Sequence, residues 1–360
     1  MPSVEHLSTI WLVAIFLGAG LATWVAGIQL SNMTDVLSER LGLGQALGGV
    51  VLLAISTNLP EIAITATAAL RHEIGVAVGN ILGGIAIQTV VLVLLDLFGT
   101  RGGPPLTSRS VSLLLVLEAV LVNAVLIVAI MATQMPASLI VLRLTPGVLL
   151  IAIMWVAGVW LLGQAAKGLP WQHTKRPGPH VQTKPKGHSK TARAKGEVGK
   201  LVTTTRAVVV FAIAAAVTLV AGVLLEQSGS GVAGRIGLSG VLFGGTILAA
   251  ATALPELSTG LASMKLKDYQ LAVSDIFGGN AFLPVLFLLA SLLSGQAVLP
   301  AAEKSDIYLA GLGVLLTTVY AAGLIIRPQR KILDIGIDSL TVLILYLAGV
   351  AGLVAIAQAQ

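Results

Sequence analysis

The chain has 360 residues and a net charge of +6, with 56% hydrophobic and only 11% charged residues. About a quarter of the residues in a soluble domain are charged, so this composition excludes an ordinary soluble enzyme or binding module. The chain also has no cysteine, which excludes disulfide and thiolate chemistry. The sequence therefore predicts a multi-pass membrane protein.

Apolar blocks recur along the chain, each close to the roughly 20 residues that a helix needs to cross a bilayer. In chain order, we expect ten membrane-spanning helices at 8–30, 43–70, 74–98, 110–131, 142–162, 202–225, 238–264, 271–293, 307–326 and 335–356. Pro60 interrupts the second block and Pro255 interrupts the seventh. The first block lacks the basic leader of a secretory signal peptide, so we expect it to be retained as a span.

A basic segment separates the first five blocks from the last five. Residues 164–201 are rich in Pro, Gly and Lys and have no apolar periodicity, which is typical of a flexible linker. The predicted domains are a first five-span repeat at 1–163, this linker, and a second five-span inverted repeat at 202–360. Placing the linker in the cytoplasm puts 18 of the 22 Lys and Arg residues on that side, as the positive-inside rule favours. We expect a protein of the prokaryotic plasma membrane with a cytoplasmic central loop and both termini outside.

The two interrupted spans carry the same motif. "NLPEIAIT" occupies 58–65 and "ALPELSTG" occupies 253–260, so Glu61 and Glu256 are 195 residues apart. The same offset relates Thr57 to Thr252. Because each half has an odd number of spans, the second half must be inserted upside down relative to the first. The sequence thus predicts an all-α integral membrane fold in which ten transmembrane helices form two inverted five-helix repeats with broken helices at the centre.

Each Leu-Pro-Glu triplet is expected to start a half-helix inside its span, because proline is well tolerated at the first helical position. The break would free backbone carbonyl groups of the preceding segment, near Ala54 and Ala249, to act as oxygen ligands. Two glutamates that approach from opposite repeats match one divalent cation in charge. Without that cation they would repel each other and attract protons or sodium ions. Such an oxygen-only site suits Ca²⁺, Na⁺ or H⁺ rather than zinc or copper.

The candidate cation-binding side chains lie in or beside the two repeated motifs. They are Glu61 and Glu256, which would bind the metal ion directly, together with Thr57, Thr252, Asn58, Asn80, Asp275, Gln88 and Asn280. The alternative role for each Pro-Glu pair is a helix kink, and the alternative for Asp275 is helix packing or capping. For Asp96 and Glu118 we favour interhelical pairing or snorkelling to the membrane surface.

These motifs resemble the cation/calcium exchanger superfamily, in particular prokaryotic sodium/calcium exchangers. Its repeats read roughly G-[TS]-S-[LIV]-P-[ED] and then G-N-x-x-G-S-N, and the resemblance covers the ten-span plan, the central loop and both repeats. It implies a secondary active antiporter that exchanges a divalent cation, Ca²⁺ first, for Na⁺ by alternating access. It also implies that the two glutamates and the threonines bind the ions. The implied partners are inorganic cations and the lipid bilayer, with no cofactor and no nucleic acid.

The sequence departs from the family where further ligands are expected. The family's serine is replaced by Gly84 and Gly279, and its later polar residue is Gln88 in the first repeat but Leu283 in the second. A sodium site needs a full shell of oxygen atoms, whereas protonation needs only a carboxylate. Exchange of Ca²⁺ for H⁺ through the same glutamates is therefore the alternative.

Two other classes of function fit the sequence less well. A channel could use glutamates in a filter, but filters are usually assembled from symmetric subunits rather than from an inverted repeat. An intramembrane enzyme is disfavoured because "RHEIG" at 71–75 lacks the second histidine of a zinc motif, and no nucleophile stands beside a base. For alternating access, we expect the spans 8–30 and 202–225 to move across a rigid repeat core.

Overall fold

The computed structural model describes residues 4, 6–41, 52–141, 143–167 and 203–359. The basic linker lies outside the described residues, apart from its first four positions, which extend the preceding helix to Lys167. Within the described ranges, nine helices are long and apolar enough to cross a membrane. The second predicted span is described from residue 52 onward and contributes a shorter apolar helix. The predicted all-α membrane fold is confirmed.

The helices follow the predicted order in both halves. The first half contains α1 (Thr9–Leu41), α2 (Leu53–Thr57), α3 (Leu59–Leu70), α4 (Ile74–Gly99), α5 (Leu106–Arg109), α6 (Leu113–Thr133) and α7 (Pro146–Lys167). The second half contains α8 (Thr204–Arg235), α9 (Gly240–Phe243), a π-helical stretch (Gly244–Leu248), α10 (Ala249–Thr252), α11 (Leu254–Lys265), α12 (Tyr269–Phe282), α13 (Leu286–Ser294), α14 (Lys304–Ile326) and α15 (Ile337–Gln358). Strands β1 (Lys331–Ile332) and β2 (Ile335–Gly336) form a small antiparallel hairpin before α15.

Local chemistry sets several helix ends. The Ser112 hydroxyl accepts a hydrogen bond from the first turn of α6, and Glu303 and Asp306 form a capping box at the start of α14. Gly295 follows α13 in the left-handed conformation, with φ of 74°, which a residue without Cβ adopts at little cost. These ends are encoded by short segments and do not depend on the packing of distant helices.

The repeat is visible in the helix boundaries. Helix α1 begins at Thr9 and α8 at Thr204, while α3 ends at Leu70 and α11 at Lys265. Both pairs of positions are 195 residues apart, the offset of the two motifs. The repeat therefore includes the first helix of each half as well as the broken spans.

Helix α4 lies at the centre of the molecule. In the apolar stretch of α4, 72% of the residues are buried within the protein, whereas 17% are buried in the apolar stretch of the peripheral helix α15. The π-helical stretch packs so closely on α4 that a Cβ atom on Gly244 would lie 2.6 Å from the carbonyl oxygen of Val76. A Cβ on Gly79 would likewise lie 2.8 Å from the carbonyl oxygen of Val241. Glycine at these positions brings the second broken span against α4.

Helices α1 and α8 pack side by side and run antiparallel. Arg40 near the end of α1 donates a hydrogen bond to Thr204 at the start of α8, and Arg235 at the end of α8 donates one to Thr9. Both helices are longer than expected, since α1 continues to Leu41 rather than residue 30 and α8 to Arg235 rather than residue 225. Hydropathy detects only the apolar part of a helix, whereas each added residue gains a backbone hydrogen bond whether it is apolar or not.

Candidate functional site

A single residue interrupts each of the two motif spans. Asn58 separates α2 from α3, and Ala253 separates α10 from α11. Each motif proline lies in the first turn of the following half-helix, where its missing N–H group costs no helical hydrogen bond. Glu61 and Glu256 consequently occupy the first turns of α3 and α11, as the sequence predicts.

The structure brings the two glutamates to one amide group. Both side chains are 0% exposed. The Nε2 atom of Gln88 donates to the Oε1 atoms of Glu61 and Glu256, each at 3.4 Å, and to the Oδ1 atom of Asn58 at 3.3 Å. Two protons shared among three acceptors account for the length of these hydrogen bonds. Among the described residues, no hydrogen-bond donor reaches the Oε2 atom of either glutamate.

Each motif threonine lies close to the glutamate of the opposite repeat. Thr252 lies beside the carboxylate of Glu61, and Thr57 lies beside that of Glu256. Each hydroxyl donates its only proton to a backbone carbonyl, at 3.1 Å from Leu53 for Thr57 and 3.1 Å from Ala249 for Thr252. The hydroxyl oxygens therefore keep lone pairs for an additional partner.

The two carbonyl groups that the breaks were expected to free are occupied. The Ala54 oxygen accepts from the backbone and side-chain nitrogens of Asn58, at 3.2 and 2.7 Å. The Ala249 oxygen accepts from the Ala253 nitrogen at 3.0 Å and from the Thr252 hydroxyl at 3.1 Å. The expected release fails because each break is one residue wide, so the helical bond from that residue persists. A cation would have to displace one of these bonds, and the ligand role of both carbonyls stays a prediction.

Asp275 and Asn80 occupy equivalent positions but have different surroundings. Asp275 is 5% exposed, and its Oδ2 atom accepts a hydrogen bond of 2.7 Å from Thr259, one turn after Glu256. Asp275 therefore faces α11, and its charge repels that of Glu256. Asn80 is fully buried on α4, and neither of its amide atoms has a hydrogen-bond partner among the described residues. Thr259 is not among the predicted site residues. Its position three residues after Glu256, on the same face of a helix, could have indicated it.

Asn280 joins two helices of the core. Its Nδ2 atom donates to the carbonyl oxygen of Ile85 at 3.4 Å and to the hydroxyl of Thr89 at 3.2 Å, both on α4. Within the described part of the chain, Asn280 makes no side-chain hydrogen bond to either glutamate. Of the nine predicted cation-binding side chains, the structure thus places Glu61, Glu256, Asn58, Gln88, Thr57 and Thr252 together and Asp275 beside them. Asn280 lies on the adjoining α4–α12 packing surface, and Asn80 is buried on α4 next to Gly244 of the π-helical stretch.

The site is polar on one side and apolar on the other. Ala253 and Leu283 occupy the positions equivalent to Asn58 and Gln88. A Cβ atom on Gly279 would lie 2.9 Å from the Asn58 amide nitrogen and 3.2 Å from the Gln88 amide oxygen. The loss of the serine expected at Gly279 therefore makes room for this amide pair. Within the described residues, no group of three or more His, Cys, Asp or Glu side chains could hold a metal ion, so neutral oxygens would have to complete the glutamate pair.

Two other buried acids, Glu118 and Asp96, have structural partners. Glu118 on α6 accepts a hydrogen bond of 2.8 Å from Ser274 on α12. Asp96 accepts hydrogen bonds from the backbone nitrogens of Leu106 and Gly336, at 2.8 and 2.7 Å. Both side chains are buried, so the structure favours interhelical pairing over snorkelling for these two acids.

Comparison with known proteins identifies one family model and two similar proteins that each match most of the chain. The family model for the sodium/calcium exchanger protein matches residues 11–164 and 206–355. The protein named "Putative antiporter CaxA" of Alkalimonas amylolytica is 25% identical over 277 residues, which cover 75% of this chain and 76% of that protein. The inner membrane protein YrbG of Escherichia coli is 25% identical over 281 residues, which cover 77% of this chain and 78% of that protein.

Two solved structures share the fold. The H⁺/Ca²⁺ exchanger CAX matches with a TM-score of 0.67 and 12% identity, covering 96% of this chain and 85% of that one. The sodium-calcium exchanger NCX_Mj matches with a TM-score of 0.61 and 16% identity, covering 96% of this chain and 99% of that one. At these identities the two matches establish the fold alone.

Proposed function

The chain belongs to the sodium/calcium exchanger protein family, and from this membership we propose that it is a secondary active antiporter exchanging Ca²⁺ for a monovalent cation by alternating access. The observation that carries the proposal is the pair of buried glutamates, one from each repeat, that share the Gln88 amide. Two carboxylates balance the charge of one divalent cation, and oxygen ligands suit Ca²⁺. In this proposal Ca²⁺ takes the place of the amide protons between Glu61 and Glu256.

The proposed ligands come from both repeats. The carboxylates of Glu61 and Glu256 bind the ion directly, and the two motif threonines add hydroxyl oxygens from across the site. The amide oxygen of Gln88 has no hydrogen-bond partner among the described residues, so rotation of this side chain would turn a ligand oxygen toward the ion. Asp275 contributes charge next to Glu256 rather than a direct ligand.

Na⁺ is the counter-ion that the family resemblance implies. H⁺ is the second candidate, and the one-sided lining supports it. Asn58 and Gln88 offer amide oxygens in one half, whereas Ala253 and Leu283 offer none in the other. Removing half of these oxygens weakens a sodium shell, while protonation of a glutamate needs no shell.

Alternating access is proposed because the glutamates are closed off from both sides in this structure. Helices α1 and α8 would move across the broken spans and expose the site to one side at a time. We place the protein in a prokaryotic plasma membrane with the 164–201 linker in the cytoplasm, between repeats at 1–163 and 202–360. This transporter assignment leaves no catalytic role for the glutamates.

The proposal is tested by Ca²⁺ uptake into proteoliposomes at a fixed membrane potential. One set carries an outward Na⁺ gradient and another an outward H⁺ gradient. Uptake driven by Na⁺ would support sodium/calcium exchange, and uptake driven only by H⁺ would support calcium/proton exchange. The Glu61→Ala and Glu256→Ala variants are the matched controls and should show no uptake. Uptake that persists without either gradient, or in both variants, would contradict the antiporter proposal.

A further inference from the structure

One fully buried carboxylate lies outside the site on a helix that must move. Glu226 on α8 is 0% exposed, and neither carboxylate oxygen has a hydrogen-bond partner among the described residues. The span was expected to end at residue 225, whereas the helix continues to Arg235 and includes Glu226. The Oε1 atom of Glu226 lies 3.6 Å from the Nε atom of Arg71, which follows α3. A buried carboxylate at such a position calls for a functional explanation.

Arg71 connects this carboxylate to the repeat core. Its Nε atom also lies 3.1 Å from the Oε1 atom of Glu73, the residue that precedes α4. Glu73 and Arg71 belong to the same α3–α4 segment, whereas Glu226 belongs to α8. Within the described residues, the Arg71–Glu226 pair therefore crosses the interface between the core and a helix expected to move, whereas the Arg71–Glu73 pair does not.

The ion pair lies on the route between the site and one membrane surface. Gly222 of α8 packs against Pro60, since a Cβ atom at position 222 would lie 2.9 Å from the Pro60 carbonyl oxygen. Glu226 is one helical turn farther along α8, and Arg71 marks the end of α3 that points away from Glu61. Separating α8 from α3 at this end would open the site toward the Arg71 side.

The equivalent positions of the opposite half hold residues that cannot form this ion pair. At the repeat offset, the positions equivalent to Arg71, Glu73 and Glu226 hold Leu266, Asp268 and Ser31. Two identical inverted repeats would make the two open states equal in energy by symmetry. A contact that is present in only one half shifts that equilibrium. The contact forms when the site is closed on that side of the membrane and breaks when the site opens to that side.

We propose that Arg71 and Glu226 are positioning residues that hold α8 against α3 and keep the cation site closed toward the Arg71 side. The pair separates whenever the site opens to that side, and its absence from the other half makes the opposite opening the preferred one. The inference rests on the alternating-access part of the proposed function, and it adds the residues that set the balance between the two states.

The absence of native cysteine allows a direct test. Thr65 is buried on α3, one turn beyond Glu61 in the direction of Arg71, and its replacement Thr65→Cys provides a reporter of access. A membrane-impermeant maleimide is applied to right-side-out and to inverted vesicles. Added to this background, Glu226→Gln should raise the labelling rate from the Arg71 side at least about fivefold, the lower end of typical coupling between protein sites. Labelling from the other side should fall or stay the same.

Glu73→Gln is the matched control, because it removes the other ion pair of Arg71 and the like charge that faces Glu226, and so leaves the Arg71–Glu226 pair at least as firm. It should label no faster than the Thr65→Cys background. The exchanged pair Arg71→Glu with Glu226→Arg should restore slow labelling. Background labelling in Glu226→Gln, or equal acceleration in Glu73→Gln, would overturn the proposal.

If Glu226→Gln fails to reach the membrane, Glu226→Asp replaces it, since it keeps the charge but withdraws it from Arg71 by one methylene. It should label faster than the background, and an unchanged rate would count against the ion pair. Labelling reports access and needs no transported ion. A negative result here would therefore leave the exchange proposal to the uptake experiment, and failure of exchange would not alter the labelling rates.

Discussion

Gly27 of α1 packs directly against Pro255 of α11, with a Cβ atom at position 27 placed 2.5 Å from the Cβ of the proline. Its repeat equivalent, Gly222 of α8, packs in the same way against Pro60 of α3. Each long helix of the α1–α8 pair therefore crosses the broken span of the opposite repeat beside its glutamate. A movement of this pair would change access to both glutamates together.

The first prediction concerns these contacts. Gly27→Ala and Gly222→Ala should each lower the rate of Ca²⁺ uptake at least about tenfold, because an overpacked contact of this kind costs about 1–3 kcal/mol or forces the helix away. Uptake is measured in vesicles with equal amounts of inserted protein. Gly20→Ala is the control on the same helix, since no atom lies within 4 Å of a Cβ at that position. Equal rates in all three variants would show that close packing here does not matter for transport.

The second prediction concerns Gln88, whose amide donates hydrogen bonds to both glutamates. Gln88→Leu, which copies Leu283 of the other half, should destabilise the ion-free protein by about 1–2 kcal/mol, because two carboxylates lose a shared donor. The Ca²⁺-bound protein should lose more stability, because it also loses the amide oxygen proposed as a ligand, so the increase in melting temperature caused by Ca²⁺ should become smaller. A larger increase would mean that Gln88 does not bind Ca²⁺.

The third prediction concerns Asp275, which lies beside Glu256 without sharing the Gln88 amide. Asp275→Asn matches Asn80 of the other repeat and keeps an acceptor for Thr259. It should raise the KM for Ca²⁺ about tenfold and leave the maximal rate within about twofold. The loss of one nearby negative charge is worth about 1–2 kcal/mol at an effective dielectric constant of about 20. A lost maximal rate with unchanged KM would assign Asp275 to the counter-ion step.

The fourth prediction separates the site acids from a structural acid. Glu118→Gln should keep the KM and rate of Ca²⁺ uptake, because its carboxylate accepts a hydrogen bond from Ser274 on α12 and does not share the Gln88 amide with the two site glutamates. Glu61→Gln should abolish uptake, because one carboxylate alone leaves a divalent ion with an unbalanced charge in an apolar span. Uptake lost in both variants would extend the site to α6.

The fifth prediction concerns orientation in the membrane. Single cysteines introduced as Ser8→Cys and Ser189→Cys should be labelled by an impermeant maleimide from opposite sides. The positive-inside rule places position 189 in the cytoplasm and position 8 outside. In the predicted topology the Arg71 side faces outside. Labelling of position 8 in inverted vesicles would show that the topology is the reverse, with the Arg71 side in the cytoplasm.

Several features could be predicted from local sequence. The membrane spans follow from hydropathy, and the half-helices follow from the two Leu-Pro-Glu triplets. The constant offset of 195 residues correctly indicated the repeat. The sequence did not predict how short each helix break is. Asn58 alone separates α2 from α3, so the Ala54 carbonyl keeps its hydrogen bonds. Glu226 was missed because a hydropathy window ends where polar residues begin, although the helix continues.

The sequence by itself determined the spans, the inverted repeat and the presence of two intramembrane glutamates, because each of these depends on residue type and spacing along one segment. Only the tertiary structure decided which side chains meet. Gln88 contacts Glu256 from 168 positions away, and Arg71 reaches Glu226 across a helix interface. Such contacts depend on how closely helices approach, which is set here by glycines packed against the backbone of distant segments, and spacing along the chain does not encode that approach.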